Sequence, residues 1–220
     1  MSIDNQKDYW DSVAQQKTFT HPVNTELLLN FVDKNAVIVD YGCGYGRIVR
    51  ELLASGFSNT VGYDTSNEFI NRGKKNHLPI YHISDPSALQ LADSSVDCFL
   101  LVAVLTCIPS NSGQRALISL LRSKLKPGGH IYISDYYLQD SEVSKSRYTI
   151  INNDTDNFGV FTLPEGATLR HHSKDWIRSL FKDFSIKEEA IIEVKTMNGN
   201  SAEAFRLIVE KQACEPGASL

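Results

Sequence analysis

The stretch Val37–Gly56, VIVDYGCGYGRIVRELLASG, sets a run of β-branched residues and an aspartate before three alternate glycines and a helical pattern. A strand that ends in a glycine turn ahead of a helix brings backbone N–H groups up to a ligand, most often a nucleotide. The spacing decides which kind. A dinucleotide loop reads G-x-G-x-x-G, its third glycine letting the helix approach the strand. Here Gly42, Gly44 and Gly46 alternate, and Arg47 stands where that third glycine would fall. No G-K-[ST] follows, which removes a P-loop. Asp40, at the mouth of the loop, would repel a pyrophosphate lying over the same backbone and would welcome a positive charge. The next strand closes on Asp64, where a carboxylate can accept both hydroxyls of a ribose. The pattern calls for a nucleoside with a cationic appendage.

Outward from this loop, periodicity and breakers give alternating strands and helices. Strands are expected over 36–41, 59–64, 80–83, 97–103 and 130–135, with helices over 47–54, 66–75 and 113–125, the last ended by KPGG. Such alternation predicts a mainly parallel sheet covered on both faces, with ligands beyond the C-terminal strand ends. After Asp135 comes a polar stretch with no clear helix, expected to be a substrate-covering insertion over 136–172. A helix over 174–181 then precedes two strands, 185–196 and 203–211, joined by MNGNS as an antiparallel hairpin. The fold class is therefore α/β, a doubly wound sheet of seven strands with a lid insertion after the fifth. One domain over 1–211 is expected, with a disordered tail at 212–220.

Four segments in this order resemble the class I S-adenosylmethionine-dependent methyltransferases, in particular the type 11/25-like small-molecule members. VIVDYGCGYGR resembles their first motif, VGYD at 61–64 their second acidic motif, ISDPSALQLADSSVDCFLL at 83–101 the adenine segment and fourth strand, and LKPGGHIYISD at 125–135 the turn into the fifth. The resemblance implies a Rossmann-like fold and S-adenosyl-L-methionine as cofactor. It places Asp40 and the Gly42–Cys43–Gly44 backbone, with Gly46 completing the loop, at the methionine end. It places Asp64 on the ribose, Thr65 beside the adenine, Asp85 and Pro86 at the adenine amino group, and Val102 and Ala103 under the sulfonium. Upstream, YWDSVAQQKTFTHP resembles an N-terminal lid within residues 1–30, in which Tyr9, Trp10 and Phe19 would cover the cofactor.

Methyl transfer is an in-line displacement that needs water excluded and, for a hydroxyl or ammonium acceptor, a base. His171, His172 and Tyr137 are the candidate catalytic groups. His21, Cys107, Tyr136, Tyr137, Tyr148, Phe158 and Phe161 are the candidate acceptor-site residues, an aromatic supply suited to a small, partly apolar or cationic acceptor. Cys43 between glycines reads as a small packing residue. The expected acceptor atom is O or N of a small molecule. Alternatives are an RNA or protein acceptor, a non-catalytic S-adenosylmethionine-binding module, and a nucleotide-dependent oxidoreductase, the last opposed by the glycine spacing.

Composition bounds the rest. The net charge of −4 provides no basic field, and the chain lacks the N-P-P-[YF] or D-P-P-Y segment that marks the base-flipping amino-methyltransferases of the family it resembles, so DNA is not expected as partner. The start MSIDNQKDYWDSV is unlike a signal peptide and no run approaches the ~18 apolar residues of a membrane span, so a cytoplasmic protein without a membrane partner is expected, as monomer or homodimer. Four cysteines without C-x-x-C spacing and scattered histidines assign no disulfide and no metal.

Overall fold

The computed structural model describes residues 2–148 and 157–212. The tail expected to be disordered, 212–220, lies almost wholly outside these residues, as does Cys214. Five strands, β1 (Ile38–Tyr41), β2 (Thr60–Asp64), β3 (Ile80–His82), β4 (Val96–Val102) and β5 (Leu125–Tyr136), run parallel in the order β3-β2-β1-β4-β5. Two more, β8 (Phe184–Lys195) and β9 (Ser201–Lys211), complete the seven-stranded sheet, with β9 antiparallel between β5 and β8. The chain reverses direction across the sheet between β1 and β4, and the crevice of an open α/β sheet lies at such a switch point.

Every residue of β1 is buried, as a central parallel strand covered on both faces requires. Alternate side chains supply two cores. Val39, Phe99, Leu101, Ile131 and Ile133 meet Leu117 and Leu121 of α5 (Asn111–Lys124) and Trp176 and Ile177 of α7 (Lys174–Leu180). Ile38, Leu100 and Tyr132 meet Leu28 of α2 (Thr25–Leu28) and Ile48 and Leu52 of α3 (Arg47–Ala54). Serine caps start α5 and α7: Ser110 accepts from Gly113 N–H, and Ser173 from Trp176 N–H.

Two readings change in detail. The KPGG segment does not stand outside the sheet: Val96 pairs with Leu125 and Cys98 with His130, so Lys126–Gly129 bulges out of one ladder. Lys126 then reaches both oxygens of Asp97 at 2.8 Å. The insertion, expected without a helix, contains α6 (Glu142–Arg147) and a small hairpin of β6 (Val160–Thr162) and β7 (Thr168–Arg170). Six residues capped by Ser141, with only Ser144 buried, leave no apolar periodicity to read.

Gly73 in α4 (Asn67–Lys74) sets how closely that helix approaches the glycine loop: a Cβ there would stand 2.5 Å from the Tyr45 carbonyl oxygen and 2.3 Å from Ile80 Cδ1. Helix propensity favours alanine over glycine by about 1 kcal/mol, but overpacking against backbone costs about 1–3 kcal/mol. The clash is expected to win. Gly73→Ala should lower the thermal midpoint by a few degrees, roughly 2–4 °C per kcal/mol at this size, as read by circular dichroism.

Candidate active site

The glycine loop turns by holding Gly42, Gly44 and Gly46 at φ of 74°, 55° and 78°, a region that side chains other than glycine's rarely enter. That turn aims its amides back at the neighbouring strand. Gly42 and Cys43 N–H donate to the Tyr63 carbonyl at 2.8 and 3.1 Å, and Gly44 N–H donates to Asp64 Oδ2 at 2.7 Å. The other Asp64 oxygen accepts from Ser66 N–H at 2.7 Å. Cys43 packs over Gly62, where a Cβ would come within 2.7 Å of its sulfur; burial raises its thiol pKa, so it is a packing group.

Asp40 has the opposite environment. It is buried, and its Oδ2 has no hydrogen-bond partner among the described residues. Burial pushes its pKa up to about 8, against the pull of the nearby Arg47 guanidinium. A cation above the loop would supply the missing partner, which is what the sulfonium nucleoside with its ammonium group offers. The residues present therefore fit S-adenosylmethionine: Asp40 and the loop backbone would hold the methionine end, and Asp64 the ribose.

A cavity of about 560 Å³ opens at the C-terminal ends of β1, β2, β4 and β5. Of the residues assigned to the cofactor, Trp10, Phe19, Gly42, Cys43, Asp64, Thr65, Pro86, Val102 and Ala103 line it. Ala103 is held at φ 56° with its N–H on the Ser134 carbonyl, a strained turn that bends the chain away as β4 ends. Asp40, Gly44 and Gly46 lie beneath the surface, and Tyr9 stands behind Trp10 at 4.9 Å between rings. Asp85 is exposed and turned aside, one oxygen accepting from the Ser87 N–H at 2.8 Å; its neighbour Pro86 is the one at the wall.

The roof comes from the N-terminal segment. Phe19 stacks on Tyr45 with ring centroids 5.3 Å apart, its edge so near the loop that a Cβ on Gly44 would lie 2.2 Å from it. Arg72 covers the Tyr45 ring at 4.0 Å and donates to the carbonyls of Ala14 and Lys17. Gln6 spans the opening: its amide donates to the carbonyls of Cys107 (2.9 Å) and Thr168 (2.6 Å) and accepts from Thr168 N–H.

In the acceptor half, His21, Cys107, Tyr136, Phe161 and His171 line the cavity. Tyr148 stands behind, its hydroxyl 2.8 Å from His171 Nδ1, and Phe158 packs on Tyr148 at 5.7 Å. Tyr137 and His172 do not reach the cavity, a correction to their assignment as catalytic groups. The chain returning from the insertion pairs with the segment after β5, so successive side chains point to opposite sides. His171 therefore faces inward, while His172 enters the core and meets Gln114 Nε2 at 2.9 Å; Tyr137 stacks on Phe205 at 4.7 Å. Burial lowers the pKa of His21 to about 4 and of His171 and His172 to about 3. Each is neutral near pH 7 and a weak base. Burial also raises Asp135 to about 7, although the N–H groups of Tyr136 and Thr106 donate to it.

Several wall residues carried no readable signal. Asn5 and Gln6 lie in a short polar segment, and Gln139, Ser144 and Arg147 in the insertion. Arg47 had one, the break in glycine spacing: it fastens the roof by donating to the His21 carbonyl and pairs with Glu51 at 2.7 Å.

The strand order, the glycine turn and the two carboxylates at adjacent strand ends define a Rossmann-like methyltransferase fold and cofactor cradle. Residues 39–133 match the family model described as methyltransferase domain, and this core is a class I, S-adenosylmethionine-dependent methyltransferase domain. Among curated proteins the chain is similar to the ribosomal protein L11 methyltransferase of Shewanella pealeana, 29% identical over 173 residues that cover 73% of this chain and 51% of that protein. The chain thus spans about half the length of the curated relatives it matches. Among solved structures it resembles an S-adenosylmethionine-dependent methyltransferase from Methanosarcina mazei, at TM-score 0.76 and 24% identity over 86% of this chain and 98% of that one. It also resembles the 1,6-didemethyltoxoflavin-N1-methyltransferase of Burkholderia thailandensis, bound to 1,6-didemethyltoxoflavin and S-adenosylhomocysteine, at TM-score 0.63 and 13% identity over 86% and 76%.

Asp40 generates a pH prediction. Its pKa of about 8 in the free protein means that a cationic ligand, favouring the ionised form, must displace a proton below that pH. Affinity for S-adenosylmethionine should rise with pH up to about 8 and level off above it. Calorimetry in buffers of different ionisation heat should detect proton release near pH 7, lost in Asp40→Asn. The same raised pKa makes the folded protein hold a proton that the unfolded chain loses near pH 4, so the free protein loses stability as pH rises from about 4 to 8. Asp40→Asn should melt higher at pH 8 while binding more weakly.

Proposed function

We propose that the protein transfers a methyl group from S-adenosylmethionine to an O or N atom of a small-molecule acceptor, working as a single catalytic domain over 1–211. The observation that carries this reading is the continuity of the cavity: one space of about 560 Å³ runs from the glycine loop to the wall formed by Tyr136, Phe161 and His171. Its size falls within the ~300–1,000 Å³ of small-ligand pockets. The bridge from Gln6 to Thr168 and Cys107 narrows its entrance in a way that suits a small acceptor better than a folded one. The structural likeness to an enzyme whose bound acceptor is a small heterocycle adds support.

When bound, the cofactor would supply an electrophilic methyl on sulfur, the C–S electron pair remaining on sulfur and the proton of an O–H or N–H acceptor passing to solvent at the cavity mouth. The protein's part is placement and exclusion of water. Phe19 and Trp10 cover the nucleoside end, and Tyr136 and Phe161 offer ring faces to the acceptor. Tyr148 orients His171 through Nδ1, leaving Nε2 for the acceptor. With its low pKa, His171 serves better as a hydrogen-bonding guide than as a strong base.

A second reading, a protein acceptor, is favoured by the sequence similarity to ribosomal protein L11 methyltransferases. Labelled-methyl transfer separates the two: amines, phenols and carboxylates are expected to become labelled, and purified ribosomal proteins are not. Label confined to the proteins would reverse the conclusion. Among the described residues no helix is long and apolar enough to cross a membrane, and we place the activity in the cytoplasm.

The two histidines should separate experimentally. His171→Ala should lower kcat/KM by about tenfold or more while leaving cofactor affinity within about threefold, under 1 kcal/mol. The rate should show no inflection between pH 6 and 7 from this group, its pKa being about 3. His172→Ala strands the Gln114–Trp176 pair and should instead destabilise the fold by about 1–3 kcal/mol, seen as a lower denaturant midpoint.

A further inference from the structure

The polar groups of the cavity are divided by charge. At the cofactor end Asp64 lines the space, engaged on both oxygens by backbone N–H groups, with Asp40 buried beneath the loop. Three permanent cations line the space, and two of them are committed. Lys17 pairs with Glu165 at 3.1 Å and Arg47 with Glu51 at 2.7 Å. Arg147, from the last turn of α6, has no carboxylate within ion-pair distance among the described residues. Its guanidinium lies 4.0 Å over the Phe161 ring, and Phe161 in turn meets His171 with centroids 4.8 Å apart. It is thus fixed against the acceptor wall at the mouth of the cavity, exposed to whatever enters.

Two carboxylates also line the space, and each has a partner other than Arg147. Asp4 accepts from the N–H and hydroxyl of Ser110, and the fully exposed Asp140 leans on Lys145 at 3.8 Å. His21 and His171 are neutral. Among the described residues, Arg147 therefore stands without an ion-pair partner in a wall that includes Tyr136, Phe161, Leu163 and Leu169. A cationic acceptor would meet that charge on the aromatic wall, which weighs against the cationic option raised by the aromatic supply alone.

We infer that the acceptor is an organic acid whose carboxylate docks on Arg147 while its apolar body lies against Phe161 and Tyr136. This rests on the reading of the cavity as a methyl-transfer site and names its substrate class. One guanidinium matches one carboxylate as a planar, two-bond pair. Arg147 is then a specificity-determining residue, with Tyr148 and Phe161 holding the wall behind it.

The test uses matched acid–amide pairs: benzoate with benzamide, indole-3-acetate with indole-3-acetamide, and 4-hydroxycinnamate with its amide. Binding is measured by ligand-observed NMR on the full chain, both alone and saturated with S-adenosylhomocysteine. At least one acid should bind tenfold or more tightly than its amide. Arg147→Gln should remove the preference and Arg147→Lys should keep part of it; the residue is exposed, and an unchanged thermal melt would confirm folding. Equal binding of acids and amides across the pairs, or a preference that survives in Arg147→Gln, would overturn the inference. Failure of S-adenosylhomocysteine to bind, read separately by calorimetry, would instead remove the methyl-transfer reading, and the acid–amide comparison on the free protein would still stand.

Discussion

Two carboxylates at the ends of adjacent parallel strands, one satisfied and one not, organise this molecule. Asp64 is answered on both oxygens by backbone N–H groups, one of them from Gly44. That bond requires the loop to double back, and the doubling back requires the three left-handed glycines. Asp40 lies under the same loop with Oδ2 unpaired, which is costly in a desolvated position. The free fold therefore holds a buried, protonated carboxyl with one oxygen unpaired at the point where a cationic ligand would favour its ionised form. Such an arrangement places binding affinity where stability has been given up.

The rest of the site is built to enclose that point. The roof depends on contacts between parts of the chain far apart in sequence: Gln6 joins the turn after β4 to the hairpin of the insertion, and Arg47 joins α3 to the segment around His21. Aromatic stacking of Phe19 on Tyr45, with Arg72 on the outer ring, sets the roof's height above the loop. Water exclusion and charge separation then follow from one another. Inside the enclosure burial leaves His21 and His171 neutral near pH 7, while the Arg147 guanidinium stands over the Phe161 ring at the rim.

Much of this was legible along the chain. Hydrophobic alternation located all seven strands of the main sheet, and the glycine spacing with Asp40 and Asp64 pointed to a nucleoside carrying a positive charge. These are local demands: a left-handed turn needs glycine, a doubly covered strand needs a continuous apolar run, and a helix start needs a capping serine. Each leaves its mark within a few residues, so reading neighbours suffices.

What only the tertiary structure decided is which side chains face one another. His171 and His172 are adjacent and chemically identical, yet the pairing of the segment at Tyr137 with that at His172 sends one into the cavity and the other against Gln114. The short α6 and the polar residues Asn5, Gln6 and Arg147 had no periodicity to reveal them, because a single long-range hydrogen bond or ring contact imposes no pattern on its flanking sequence. Local composition determined the scaffold and the donor's cradle, since both follow from backbone geometry. The acceptor's surroundings were set by contacts among distant segments, which exist only once the sheet has formed and the roof has closed over it.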